Sequence, residues 1–217
     1  VFRIHKSFGV KLPLVNFLQN PTIADVAALL EGSGAIHLDE APLLQAEAQE
    51  EMQDLLELHP EERYEPFPLT DVQEAYWIGR GGGFDIGNVA THVYSEVEID
   101  GLDLDRFQRA WQRLIDRHDM LRAIVRPDGQ QQVLQHTPPF RIETQDLSAT
   151  SAGAAEAILA ATRQAMSHQV LPADRWPLFE IRASQADDSR TRIHLSIDAL
   201  IADVPSLRVL GRDLWNL

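Results

Sequence analysis

Between residues 92 and 99 apolar and polar positions alternate, with Val93, Ser95, Val97 and Ile99 on one side and His92, Tyr94, Glu96 and Glu98 on the other. A period of two marks a half-buried strand. The period then changes: Asp103 is placed to cap a helix whose Leu104, Phe107, Trp111, Leu114 and Ile115 form one apolar stripe. Three short strands are expected at 121–126, 131–136 and 141–144, the first two joined by a turn at Pro127-Asp128-Gly129. The Ala-rich stretch 151–168 reads as a helix, and 179–184 and 191–198 as strands joined by a polar turn at 186–190. A last helix is expected from Pro205-Ser206, with Leu207, Leu210, Leu214 and Leu217 on one stripe. Helices and strands in this order predict an α/β sandwich with a mixed sheet.

Upstream of residue 64 the pattern differs. Phe2, Ile4 and Phe8 precede Gly9, a candidate helix C-cap, and Pro13 to Leu18 fits one helical turn. Thr22 with Asp25 three residues on has the spacing of a capping box, opening a helix with Ile23, Val26, Ala27 and Leu30 on one face. About thirty residues bury too little surface to fold alone, so 1–32 reads as the end of a small helical domain. Residues 33–62 hold nine Asp and Glu and no Lys or Arg, the composition of a solvated linker. Within it Leu43, Leu44, Met52, Leu55, Leu56 and Leu58 could form a short amphipathic helix. The division expected is a helical piece at 1–32, a linker at 33–63 and a larger domain at 64–217.

Composition narrows the function classes. Among 217 residues, 33 acidic against 19 basic side chains give a net charge of −14. That charge repels phosphate backbones and anionic lipid, which argues against nucleic acid or a membrane as partner. Without cysteine there are no disulfides, thiolate metal sites or cysteine nucleophiles. No apolar run approaches the ~18 residues a membrane-spanning helix needs. The chain opens at Val1 with neither an initiator Met nor a signal peptide, so it is expected to be an excerpt of a longer cytoplasmic protein.

Candidate chemistry concentrates near the end of the chain. In the strand Arg192 to Asp198, Ile193, Leu195 and Ile197 point one way, and Arg192, His194, Ser196 and Asp198 the other. An apolar loop follows, Ala199-Leu200-Ile201-Ala202, closed by Asp203 and then Ser206. Two carboxylates bracketing an apolar loop can hold a polar group in a low dielectric and orient a nucleophile or exchange a proton. The spacing is not diagnostic alone, since Asp100 and Asp105 share it at a turn and helix start. His194 shares a face with Asp198, as a second lining residue or as a hydrogen-bonded core histidine. His118 stands at a helix end, where a capping contact is the default. No His-x3-His, Gly-x4-Gly-Lys or Gly-x-Ser-x-Gly pattern occurs, and Gly81-Gly82-Gly83 reads as a flexible turn.

Three stretches change the picture together. Phe67-Pro68-Leu69-Thr70-Asp71-Val72-Gln73-Glu74-Ala75-Tyr76-Trp77-Ile78-Gly79-Arg80 resembles the opening motif of heterocyclization domains, the cyclizing variant of condensation domains in nonribosomal peptide synthetases. Arg117-His118-Asp119-Met120-Leu121-Arg122 resembles the second motif of that superfamily. Asp198 to Asp203, followed by Ser206, resembles the Asp-x4-Asp signature that replaces the His-His-x3-Asp motif of ordinary condensation domains, with Pro177-Leu178-Phe179 ahead of it at a family-like distance. The order and spacing agree over residues 64–217. Separately, Phe8 to Leu14 and Asn20-Pro21-Thr22-Ile23 resemble the last two helices of a carrier domain, whose phosphopantetheine-bearing serine would lie upstream of Val1.

The resemblance implies a chloramphenicol-acetyltransferase-like α/β sandwich of two lobes with the active site between them, this chain holding the N-terminal lobe. It implies an activity that joins a carrier-bound acyl group to the amine of carrier-bound Cys, Ser or Thr, then closes the side chain onto the amide with loss of water. The implied cofactor is 4'-phosphopantetheine on partner carrier domains, with no metal. The implied partners are upstream and downstream carriers, an adenylation domain and the C-terminal lobe. By motif, Ala199 stands where an ordinary condensation domain carries its catalytic histidine. Asp203 is expected to make a structural ion pair with Arg122, and Asp198 to face the channel with His194, Ser196, Ser206, Tyr76 and Gln73 as lining candidates. On that division Arg122→Ala would destabilise far more than Asp198→Ala. The Asp and Thr tied to dehydration in the family belong to the second lobe, so this stretch alone is expected to be catalytically silent. An amide-forming condensation domain and a non-catalytic docking or scaffold piece remain the alternatives.

Overall fold

A computed structural model of the chain describes residues 22–32, 59–81, 88–186 and 190–217. Four expectations lie outside those residues: the helical pieces within 1–20, the amphipathic segment within 43–58, the glycines at 82 and 83, and the centre of the 186–190 turn. The chain divides into two compact units, Val1–Arg63 and Tyr64–Leu217.

In the first unit, α1 (Ile23–Gly32) starts as its capping signal predicts: the Asp25 amide donates to the Thr22 hydroxyl at 3.1 Å, and that hydroxyl donates back to the Asp25 carboxylate. A 3₁₀ turn, Pro60–Glu62, closes the unit.

The second unit contains β1 (Phe67–Pro68), α2 (Asp71–Gly79), β2 (His92–Asp100), α3 (Leu104–Arg117), a 3₁₀ turn (Asp119–Arg122), β3 (Ala123–Val125) and β4 (Gln130–Val133). It continues with β5 (Glu143–Asp146), α4 (Ala152–Met166), β6 (Phe179–Gln185), β7 (Arg190–Asp198) and α5 (Val204–Asn216). Four strands form the main sheet in the order β2-β7-β6-β5. β7 pairs antiparallel with both β2 and β6, while β5 joins β6 in parallel, so the sheet is mixed as expected. A second, three-stranded sheet, β1-β4-β3, was not foreseen, because β1 has only two residues and no period to read.

The two faces of the main sheet bury different chemistry. On one, Phe179, Ile181, Ala183, Ile193 and Ile197 pack against Trp111, Leu114 and Ile115 of α3 and Leu210 of α5. Trp111 stacks on Phe179 with ring centroids 5.9 Å apart, and Phe140 sits 4.9 Å from Phe179. The other face is polar in sequence yet is buried as deeply along the end of β7. His194 is fully buried, and Ser196 and Asp198 are nearly so. Meanwhile Val93 and Val97, on the apolar side of edge strand β2, are 42% and 49% exposed. Alternation identified the strand; it did not say which side would be covered.

Candidate active site

The loop 199–203 is held from beneath by the sheet. The Ala199 amide donates to the Thr91 carbonyl at 2.9 Å, and Asp198 donates its own amide to Leu178 at 3.0 Å. The Asp198 carboxylate turns back into this loop, one oxygen accepting the Leu200 amide at 3.0 Å. Its other oxygen is paired with the Arg80 guanidinium, both side chains being at most 7% exposed. Arg80 also donates to the Leu171 carbonyl at 3.3 Å.

Helix α2 brings Arg80 there. Thr70 caps it: its hydroxyl accepts from the Gln73 amide, and the Gln73 side chain accepts from the Thr70 amide, a reciprocal box that satisfies two otherwise orphaned donors. Helical spacing sets Gln73, Tyr76 and Arg80 on one side of α2, at i, i+3 and i+7. Gln73 donates to the Leu200 carbonyl at 2.7 Å, and Tyr76 packs on the hydrophobic core.

The site differs from the sequence expectation in its ion pairs. Arg122 does not pair with Asp203. Its guanidinium folds back on the end of α3, donating to the Asp116 carbonyl at 2.9 Å and to the Ile115 carbonyl, and it pairs with Asp119 at 2.7 Å. It also reaches the Leu134 carbonyl at 3.2 Å. The cause is local: Arg122 ends a tight turn that starts at Asp119, so helix-end carbonyls and a carboxylate three residues away are within its reach. Asp203 instead caps α5, accepting from the Ser206 amide at 2.9 Å and from the Ser206 hydroxyl. Those bonds, the hydroxyl first, hold its carboxyl below the ordinary range, so it is ionised at neutral pH. The two acids have exchanged expected positions: Asp198 is the buried, paired one and Asp203 the exposed one.

Two cavities flank Asp203. The larger, about 620 Å³, is lined by Thr70, Gln73, Tyr76 and Thr91 with Val93, Met120 and the loop from Ala199 to Asp203, and by Ser206. The smaller, about 440 Å³, is lined by His118, Asp119, Met120, Ile201, Asp203 and Ser206, among others. Met120, Ile201, Asp203 and Ser206 are therefore common to both walls. Of the expected lining residues, Gln73, Tyr76 and Ser206 meet at these cavities, and Asp203, expected to be structural, joins them. Asp198, His194 and Ser196 line neither.

His194 belongs to a polar cluster on the sheet face that carries α4. The Tyr94 hydroxyl lies 2.8 Å from its Nδ1 and donates to Glu96 at 3.2 Å. Glu96 accepts from Arg163 of α4 at 2.7 and 2.8 Å and from Arg192 at 2.6 Å. The Arg163 hydrogen bonds, reinforced by Arg192, bring the Glu96 carboxyl down to about 2. Burial, with the Glu96 charge beside it, pushes the Tyr94 phenol up to about 12. Burial lowers the His194 imidazole, leaving it neutral. His118 caps the end of α3 as expected and adds a contact to Asp213 at 3.0 Å.

Sequence reasoning passed over Arg80, Gln131, Thr91 and Met120 as contributors. Arg80 carried a usable signal, seven residues beyond Gln73 in one motif. Thr91 acts through a backbone carbonyl, and Gln131 through a side-chain amide bonded to Gln73 at 3.1 Å, and neither leaves a pattern. Among the described residues no three His, Asp or Glu side chains cluster as metal ligands, and no helix is long and apolar enough to cross a membrane.

Residues 65–217 match the family of condensation domains. Bacitracin synthase 1 of Bacillus licheniformis is 34% identical over 220 aligned residues, covering all of this chain and 4% of that protein. The phenyloxazoline synthase MbtB of Mycobacterium tuberculosis is 38% identical over 159 residues, 70% of this chain and 11% of the synthase. The fold superposes on the crystal structure of the EpoB cyclization-docking bidomain from Sorangium cellulosum with a TM-score of 0.71 and 34% identity, covering 84% of this chain and 38% of that one. The chain thus spans a small part of the synthetases it resembles. The family match, the relatives and the shared α/β fold agree, and the chain belongs to the condensation-domain family of nonribosomal peptide synthetases.

Proposed function

We propose that residues 64–217 serve a heterocyclizing condensation reaction within a nonribosomal, or hybrid polyketide and peptide, synthetase. In the first step the amine of carrier-bound Cys, Ser or Thr attacks the carbonyl of a carrier-bound acyl thioester. The carbon–sulfur bond breaks, the upstream carrier thiol leaves with a proton, and an amide forms. The side-chain sulfur or oxygen then attacks that amide carbon, and the former amide oxygen departs as water with the thiol or hydroxyl proton and the amide N–H proton as the carbon–nitrogen double bond forms, leaving a thiazoline or oxazoline.

The observation that carries this reading is the loop itself. Where an ordinary condensation domain presents histidine, the cavity wall presents Ala199, and the acidic group at the rim is the ionised Asp203. An ionised carboxylate can accept a hydrogen bond from an incoming ammonium, thiol or hydroxyl and orient it, which is where proximity contributes most to such reactions. The larger cavity combines apolar Val72, Val93 and Leu200 with hydrogen-bonding Thr70 and Tyr76. That mixture suits substrates arriving on a phosphopantetheine arm, which is aliphatic and amide-bearing and belongs to the partner carriers. MbtB is named for an oxazoline product and EpoB for cyclization, which supports the cyclizing form over simple condensation. Residues 1–32 and 33–63 fit the end of a carrier domain and an interdomain linker.

The test is the mass of the carrier-bound product formed by the full-length protein with its loaded carriers. A product one water lighter than the amide supports heterocyclization. Amide alone supports condensation without closure, and no product supports a docking role.

A further inference from the structure

We propose that Gln73 is a positioning residue, locked by Gln131 and by the cap of its own helix so that its amide fixes the loop walling the larger cavity. The inference rests on the reaction proposed above and adds to it the device that sets the loop.

The first three loop amides are engaged from below, Ala199 to Thr91, Leu200 to the Asp198 carboxylate and Ile201 to the Asp198 carbonyl at 3.1 Å. The Leu200 carbonyl faces the other way and takes its hydrogen bond from Gln73 Nε2 at 2.7 Å. Gln73 is not free to rotate away. Its Oε1 accepts from the Thr70 amide at 3.0 Å, and its amide exchanges two 3.1 Å bonds with the Gln131 side chain. Gln131 is buried and is itself anchored on the Pro68 carbonyl at 2.9 Å. One side chain thus joins a helix start, a strand of the small sheet and the tip of the Asp198–Asp203 loop. Donor and acceptor must both be present at that reach, which fits glutamine. Asparagine falls a methylene short, and ionised glutamate offers no donor to Leu200.

The experiment compares the full-length protein with Gln73→Ala and Gln73→Glu, reading amide hydrogen exchange at 199–201 alongside product formation. Losing one net hydrogen bond that holds a local opening closed should raise exchange there about tenfold, with the core of β6 and α3 unchanged. Turnover should fall by a similar factor, with KM for the carrier-bound substrate unchanged. Gln73→Glu should resemble Gln73→Ala at neutral pH and return toward wild type as acidification protonates the introduced carboxyl and restores a donor. Unchanged exchange at 199–201, an equal rise at every amide, or no recovery of the Glu variant in acid would overturn the proposal. If the wild type forms neither amide nor ring while exchange at the loop responds as stated, the clamp stands and the proposed reaction falls.

Discussion

The Asp203 carboxylate caps α5 through Ser206 and also borders both cavities, and these two roles can be separated by substitution. Asparagine caps nearly as well as aspartate, whereas alanine costs about 1 kcal/mol at such a position. Asp203→Asn should therefore unfold with wild-type stability while slowing product formation, and Asp203→Ala should lose about 1 kcal/mol in denaturant titration. The polar cluster gives a pH prediction. His194 is neutral and depressed in the folded protein, so the unfolded chain binds a proton first as pH drops below about 6.5, and stability falls from there. Glu96 titrates near 2 when folded against an ordinary 4.5, so its contribution is present above 4.5 and is lost as pH falls toward 2. Unfolding free energy followed from pH 8 to 3 should fall in these two windows, and His194→Gln should remove the upper one alone. At this scale the sequence was informative about residue type and silent about partner. Asp198, Asp203, Arg122 and His194 were all picked out: Arg122 and Asp203 found partners other than each other, Asp198 turned inward to Arg80, and His194 took the core reading beside Tyr94. A side chain's partner depends on which elements the fold brings within a few ångströms, and spacing along the chain does not encode that.

Among the elements, long periodic stretches were legible and short ones were not. The stripe Phe107, Trp111, Leu114 and Ile115 became the core-facing side of α3. Its Trp111 lies between Phe107 and Phe179, so Trp111→Ala should cost about 3–5 kcal/mol, read as a shifted denaturation midpoint with an unchanged slope. The strand expected at 121–126 opens instead with a 3₁₀ turn, because Arg122 is drawn back to the carbonyls ending α3. The strand expected at 141–144 runs from Glu143 to Asp146, all four residues exposed, with no apolar alternation to fix its bounds. β7 was located correctly, and its apolar side does face α3. Its polar side is buried all the same, because α4 supplies Arg163 to Glu96 and so makes a charged face coverable. Paired charges of this kind escape a hydrophobicity pattern by construction.

Across the whole molecule, the three motifs carried more than periodicity could. They anticipated the family and the α/β architecture, since motif identity reports on how distant segments converge while periodicity reports only on local shape. They did not anticipate the manner of convergence. The first motif grips the third through Arg80 on Asp198 and Gln73 on Leu200, whereas the second motif's Arg122 stays with its own helix. Asp198→Ala strands the Arg80 charge in a buried site, a change that typically costs about 3–5 kcal/mol, so the expectation that it would be mild next to Arg122→Ala no longer holds. The most direct test is a pair of double-mutant cycles on unfolding free energy in the full-length protein, Arg80 with Asp198 and Arg122 with Asp203. A coupling of about 1–3 kcal/mol for the first pair, and one within about 0.5 kcal/mol of zero for the second, is the predicted result. Strong coupling between Arg122 and Asp203, with additive losses at Arg80 and Asp198, would contradict it.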